Sequence, residues 1–288
     1  MASQRQLKTR IRSVKNTKQI TKAMQMVAAS KMRRAQDATK ASHPYAEAAN
    51  ELLAYLASQG ETRDHKWFVE RPVKKRLIIV VASDRGLAGA YDSNVLKKYL
   101  SLLSEDEKAK IGNATIAIGR KGSRFAARLK AVEVVGSYGD MPDYPDGTEF
   151  QTILSTAKDM FENGDVDAVD VVYTRFVTSM TQVADMIRLF PAGYTETEVS
   201  DSVRASIFEP SSEEVLNDVA YRLIGARLFQ ALLDARASEY SMRMLAMKNA
   251  TDNASGLIDD LTLAMNKARQ SAITQELSEI SAGVEALK

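Results

Sequence analysis

The 288-residue chain contains no cysteine, which removes disulfides, thiol nucleophiles and cysteine-ligated metal clusters together. Its two histidines, His43 and His65, have no Ser or Asp partner in their sequence neighbourhood, so neither a histidine-rich metal site nor a catalytic triad is expected. Long apolar runs are also missing. The longest, Leu77–Ala82, has six residues where a bilayer span needs roughly 20. The basic N-terminus lacks the apolar core of a signal peptide, so the expected location is a reducing, cytoplasmic-side compartment. Proline is confined: none of the 6 falls within residues 1–43 or 211–288. Those two stretches are therefore free to form long helices.

The charge balance conceals an asymmetry. Residues 1–40 carry eleven cations against one acid, Asp37, so they are +10 and the rest of the +2 chain is −8. A basic arm on an acidic body points to a polyanionic partner: nucleic acid, an anionic lipid surface or an acidic protein face.

Stepping alternately by three and four from Leu216 to Ala286 lands on seventeen apolar residues in 21 positions, against 21 of the 57 off that register. A sustained 3.5-residue repeat marks a left-handed coiled coil. The N-terminal stretch repeats less cleanly: Leu7, Ile11, Val14, Lys18, Thr21, Gln25, Ala28, Met32, Ala35, Thr39, Ser42, Ala46, Ala49, Leu53 and Leu56 give ten apolar positions of fifteen, with small residues at the centre. Pro44 is expected to bend or interrupt this helix. The simplest pairing of the two is with each other, antiparallel. Seventy-odd helical residues would reach roughly 110 Å, about twice the ~50 Å width of a compact chain of this length, so a stalk is expected. Toward the C-terminus the seam turns polar at Gln275 and Glu279, and a second apolar stripe begins: Ile273, Leu277, Ile280, Val284 and Leu287. The helix is expected to outrun its partner there and to dock on another surface.

Between the helices, short apolar strands at 76–82, 114–119, 132–138 and 169–177 alternate with amphipathic helices near 93–103, 122–130 and 150–163. That alternation predicts a mainly parallel α/β sheet. Residues 181–189 fit a further strand or a short helix. The division expected is an N-terminal coiled-coil helix at 1–60, an α/β (Rossmann-like) domain at 75–195 and a C-terminal coiled-coil helix at 211–288.

Chemistry is scarce. Ser83–Ala90 (SDRGLAGA) follows a strand and enters a helix, where phosphate-binding turns occur. Its Gly86-x-x-Gly89 spacing matches neither a dinucleotide fingerprint nor a Walker loop, so a tight turn or interface loop is the better reading. Gly119-Arg-Lys-Gly122 reads as a strand-to-helix turn. The acid pairs Glu213–Glu214 and Asp259–Asp260 lie on expected exposed faces. No catalytic, cofactor or metal residues emerge.

Ser13–Arg34 (SVKNTKQITKAMQMVAASKMRR) and Ala250–Leu277 (ATDNASGLIDDLTLAMNKARQSAITQEL) resemble the two signature blocks of the gamma subunits of F-type ATP synthases. SDRGLAGAY resembles that family's central block. The likeness covers essentially the whole chain, in the order helix, α/β domain, helix. It implies a central rotor shaft, non-catalytic itself, that couples ion flow to ATP synthesis or hydrolysis at the cytoplasmic face of the cell membrane. The implied partners are three alpha and three beta subunits around the shaft, with the epsilon subunit and the membrane carrier ring at its foot. No nucleic acid, cofactor or directly bound nucleotide is implied.

Carried over residue by residue, the resemblance puts Met24, beside Lys22, against a lever loop of beta. Arg269, Gln270, Thr274 and Glu276 meet a catch loop of alpha and beta, and the cations around Lys8–Lys22 and Lys31–Arg34 face acidic stator surface. The stripe Ile273–Leu287 turns in an apolar sleeve. Phe208-Glu209-Pro210 lies near the carrier ring, with Ser206 at a position often aromatic. Ala88 replaces a cysteine usual in the central block, and the cysteine-containing loop of the chloroplast relatives is missing, so their redox switch is not expected. Two rival readings stay open: a nucleic-acid-binding coiled coil, weakened because residues 1–40 have no aromatic for base stacking, and an α/β ligand-binding module that dimerises through its helices.

Overall fold

The computed structural model describes residues 4–58, 65–130, 132–145, 147–193 and 212–286. Among the described residues, five helices, α1 (Gln4–Ser58), α2 (Tyr91–Lys108), α3 (Arg120–Ala126), α4 (Thr148–Glu162) and α5 (Ser212–Ala286), accompany five strands. The strands are β1 (Lys75–Val81), β2 (Gly112–Ile118), β3 (Glu133–Tyr138), β4 (Ala168–Phe176) and β5 (Gln182–Phe190), in the order β3-β2-β1-β4-β5. All neighbours are parallel except β4 and β5. Residues 181–189 thus resolve as strand: a short hairpin turn can join antiparallel neighbours, so no crossover helix is needed. The chain divides into two compact units, Met1–Ala28 with Met244–Lys288, and Ala29–Arg243. Both long helices contribute to each.

In the larger unit the apolar run of β1 is explained by burial on both faces of the sheet. Leu77, Ile79 and Val81 enter one core with Ala49, Leu53 and Leu56 of α1, Ile153 and Phe161 of α4, and Leu228 and Leu232 of α5. Ile78, Val80 and Ala82 enter the other with Val95, Tyr99 and Leu102 of α2 and Ala126 of α3. Nearly every residue of α5 from Leu223 to Ser241 is buried. There the 3.5-residue seam is only part of an all-round contact surface.

In the smaller unit the same helix is covered on one face only. Met247, Thr251 and Ala254 are buried, and Ile258, Leu261, Met265 and Ala268 are half-buried, each at a seam position. Along α1 in both units, every seam position from Leu7 to Leu56 is buried or half-buried.

Of the two outcomes expected of Pro44, a bend or a break in α1, the break does not occur. Pro44 lies inside α1, and the helix is unbroken across it. Pro44 and Lys40, whose carbonyl loses its helical partner, are both on exposed surface where water can serve that oxygen. Burial of Ala46, Ala49, Leu53 and Leu56 just beyond holds the following turns in helical register.

Candidate functional site

The smaller unit pairs α1 with α5 through small and β-branched residues. At its centre Thr251 and Thr21, 6% and 9% exposed, meet hydroxyl to hydroxyl at 2.8 Å. Thr251 lies 2.8 Å from the Met247 carbonyl and Thr21 3.1 Å from that of Lys18, so both hydroxyls are satisfied without water. Beyond Ala268 the cover ends, and every residue of α5 from Arg269 to Ala282 is exposed. The exposed segment includes Ile273, Leu277 and Ile280 at 50%, 60% and 63%. Spacings of four and three put these three on one helix face. An apolar stripe with no partner among the described residues is the strongest sign of an interface that they show.

The expected contact residues divide as follows. Arg269, Gln270, Thr274 and Glu276 lie on the exposed segment with the stripe, and the Thr274 hydroxyl is bonded only to the Gln270 carbonyl, at 3.0 Å. Lys22 is exposed, with Nζ 3.4 Å from Gln25 Oε1, whereas Met24 is half-buried in the helix pair. The outward apolar positions of this stretch are instead Ile20, Met26 and Val27, each about 60% exposed. They could have been found in the sequence as apolar residues off the seam. The side chain of Val284, and Leu287, Ser206, Phe208 and Glu209 entirely, lie outside the described residues.

In the larger unit the central block proves to be a joint. Asp84 Oδ1 accepts the backbone N–H groups of Arg120, at 3.1 Å, and Asp140, at 2.9 Å, tying together the ends of three strands. Asp92 accepts the Ser83 amide at 2.9 Å and its hydroxyl at 2.7 Å. Leu87 and Gly89 take positive φ, 65° and 58°, which sets the turn. Gly119 follows β2 at φ 86°, and a Cβ there would lie 2.2 Å from the Ala82 carbonyl oxygen. Carboxylates therefore occupy the amides of Ser83, Arg120 and Asp140. Ala88, at the position where the family usually has cysteine, is buried.

Four residues of α5 fasten onto this edge. Arg236 donates to the Met141 carbonyl at 2.8 Å and approaches Asp84 at 3.6 Å. Ser238 donates to the Thr174 carbonyl at 3.2 Å and Ser241 to that of Ser179 at 2.6 Å. Arg243 pairs with Glu239 at 2.7 Å and donates to the Arg85 carbonyl at 2.8 Å. Lys31 does not face outward with Arg33 and Arg34, as the resemblance implied. Its ammonium lies 3.0 Å from Asp143 and 3.3 Å from the Tyr240 hydroxyl. Burial opposes both charges, but hydrogen bonds from Tyr240 and Lys31 hold Asp143 below the usual carboxylate range.

Several buried ionisable groups escaped sequence reading, Asp170 and Asp234 among them. Asp170, wholly buried, lies between Arg76 and Arg188, and Arg76 also reaches Asp106 at 3.0 Å. Asp234 is pushed up to about 6, chiefly by burial, against the hydrogen bond from Gln230 and the nearby His43. Both acids sit in segments whose period assigns them to faces that a chain without the opposite layer would expose. Among the described residues no group of three or more acids or histidines could hold a metal ion, and no helix is long and apolar enough to cross a membrane.

Paired terminal helices, an inserted, largely parallel sheet domain and an exposed end of the C-terminal helix define a class of two-helix proteins that carry an α/β domain between their long helices. A family model described as ATP synthase matches residues 3–287. The chain is 43% identical over 290 residues to the ATP synthase gamma chain of Stenotrophomonas maltophilia (strain R551-3), covering 100% of both, and 41% identical over 282 residues to that of Brevibacillus brevis, covering 98% of both. It belongs to the ATP synthase gamma chain family. Among solved structures it is similar to a chain of the Euglena gracilis mitochondrial ATP synthase, with TM-score 0.66, 18% identity and coverage of 99% and 94% of the two chains. A central-stalk chain of the Tetrahymena thermophila enzyme gives TM-score 0.59 at 24% identity, covering 80% and 99%.

Proposed function

We propose that the chain is the central shaft of a rotary ATP synthase, turning inside a ring of three alpha and three beta subunits. On this reading the exposed stripe Ile273, Leu277 and Ile280 bears on an apolar sleeve of that ring, and Arg269, Gln270, Thr274 and Glu276 engage its catch loop. Lys22 and the neighbouring cations face acidic stator surface. The foot, with Ser206, Phe208 and Glu209, meets the epsilon subunit and the carrier ring at the cytoplasmic membrane face. Ion flow turns the ring and shaft together, and the shaft's unequal faces drive the three catalytic sites through different affinities. The chain itself makes and breaks no bonds.

The observation that carries this reading is the loss of helix cover at Ala268 with an apolar stripe continuing beyond it. A nucleic-acid arm has no use for that stripe. Mixing the chain with alpha and beta subunits is expected to give a one-to-three-to-three complex with ATPase activity. Failure to assemble, or assembly with equal activity when the chain is left out, would overturn the proposal.

A further inference from the structure

The larger unit holds a cavity of about 550 Å³, between α1, α4 and α5, that the shaft reading leaves unused. Its volume falls within the range of small-molecule sites. One wall is aromatic: Phe229 takes the ring of Tyr144 edge-on at 5.1 Å and that of Phe150 at 5.9 Å. The space opposite exists because residues there are small. Ala38 and Ala41 of α1 and Gly225 and Ala226 of α5 line it, and a Cβ on Gly225 would already lie 3.0 Å from Leu154. Tyr45 and Tyr144, 57% and 51% exposed, stand at the mouth. Arg222 is the one charged residue lining the cavity; it is exposed and has no acidic partner among the described residues. An apolar aromatic slot whose one charged lining residue is a guanidinium selects a molecule that is flat or oily at one end and anionic at the other.

We propose that this cavity binds a small amphipathic anion, an aromatic or acyl carboxylate or sulfonate. Its body lies against Phe229 and Tyr144, and its head is held by Arg222. The volume of about 550 Å³ suits a small ligand.

The test uses the full chain and two fluorescent probes of similar shape, anionic 1-anilinonaphthalene-8-sulfonate and neutral N-phenyl-1-naphthylamine. Saturable one-to-one binding of both is expected. Ala41→Trp and Gln151→Trp, placed on exposed helix surface at opposite walls, should each abolish it without shifting the thermal melt. Arg222→Gln should weaken the sulfonate about tenfold, the worth of one charge-assisted hydrogen bond, and leave the neutral probe unchanged. No saturable binding, or binding that survives both tryptophans, would overturn the site. An Arg222→Gln variant that affects both probes alike, or neither, would overturn the assignment of an anionic ligand.

Discussion

Thr21 and Thr251, 230 positions apart in sequence, join their hydroxyls at 2.8 Å in the buried seam between α1 and α5. Each hydroxyl also has a carbonyl of its own helix within reach, Lys18 for Thr21 and Met247 for Thr251, so the cross-helix bond adds to the pairing without being either group's only partner. Thr251→Val is expected to destabilise the helix pair by only ~1 kcal/mol, since Thr21 can still turn to the Lys18 carbonyl. The double variant Thr21→Val, Thr251→Val should cost less than the sum of the singles. Denaturant titrations arranged as a double-mutant cycle measure this, and strict additivity would mean that the two hydroxyls do not interact.

Asp234 makes stability depend on pH in an unusual direction. Its carboxyl titrates at about 6 in the folded chain, above its ordinary value, so the folded state holds the proton more tightly than the unfolded one. The cost of burying the charge is fully present above about pH 6 and fades as pH falls toward 4. Asp234→Asn keeps an acceptor for Gln230 and should stabilise the chain by ~1–3 kcal/mol near neutral pH, with the gain gone below about pH 4. Urea midpoints at several pH values decide the point, and a gain independent of pH would contradict it.

The Asp170 carboxylate neutralises two guanidiniums, of Arg76 and Arg188. Asp170→Asn leaves both facing an uncharged amide in the interior, which is expected to cost ~3–5 kcal/mol. Calorimetry of the variant should show a melt lowered by many degrees. A shift comparable to that of a surface substitution would mean that the arginines find other partners.

The exposed stripe predicts a separation of readouts. Replacing Ile273, Leu277 and Ile280 together by serine should leave the stability of the chain within ~0.5 kcal/mol, because no described residue covers them. The reconstituted enzyme should nevertheless lose ATP-driven ion pumping. An unchanged pumping rate would remove the stripe from the interface.

Met24→Lys tests the facing assigned to α1. A cation there would pair with an acidic loop of beta at some rotor angles only, so pumping per ATP hydrolysed should fall while hydrolysis persists. Because Met24 is half-buried, Met26→Lys at its exposed neighbour is the companion measurement. Coupling intact in both variants would place the lever contact elsewhere.

The seam could be read from sequence because burial on one face of a helix writes itself as spacing. Every position from Leu7 to Leu56 followed it, and α5 lost its cover in the stretch where polar residues enter the register. What spacing could not convey was the all-round burial of α5 between Leu223 and Ser241. Arg227, Asp234 and Glu239 there look like ordinary solvent-facing charges until the sheet is laid over them. Pro44 does not interrupt α1 for a related reason: the local rule about a lost hydrogen bond is outweighed by packing several residues away. The role of the central block was hidden because Asp84 acts on the amides of Arg120 and Asp140, neither near it in sequence.

Successive residues of a helix point about 100° apart, so Arg236, Ser238, Ser241 and Arg243 leave α5 in several directions around its axis. Their acceptors lie in four separate segments, at Met141, Thr174, Ser179 and Arg85. A couple applied about that axis would therefore strain all four tethers together, like spokes on a hub, and none could be peeled away before the others carry load.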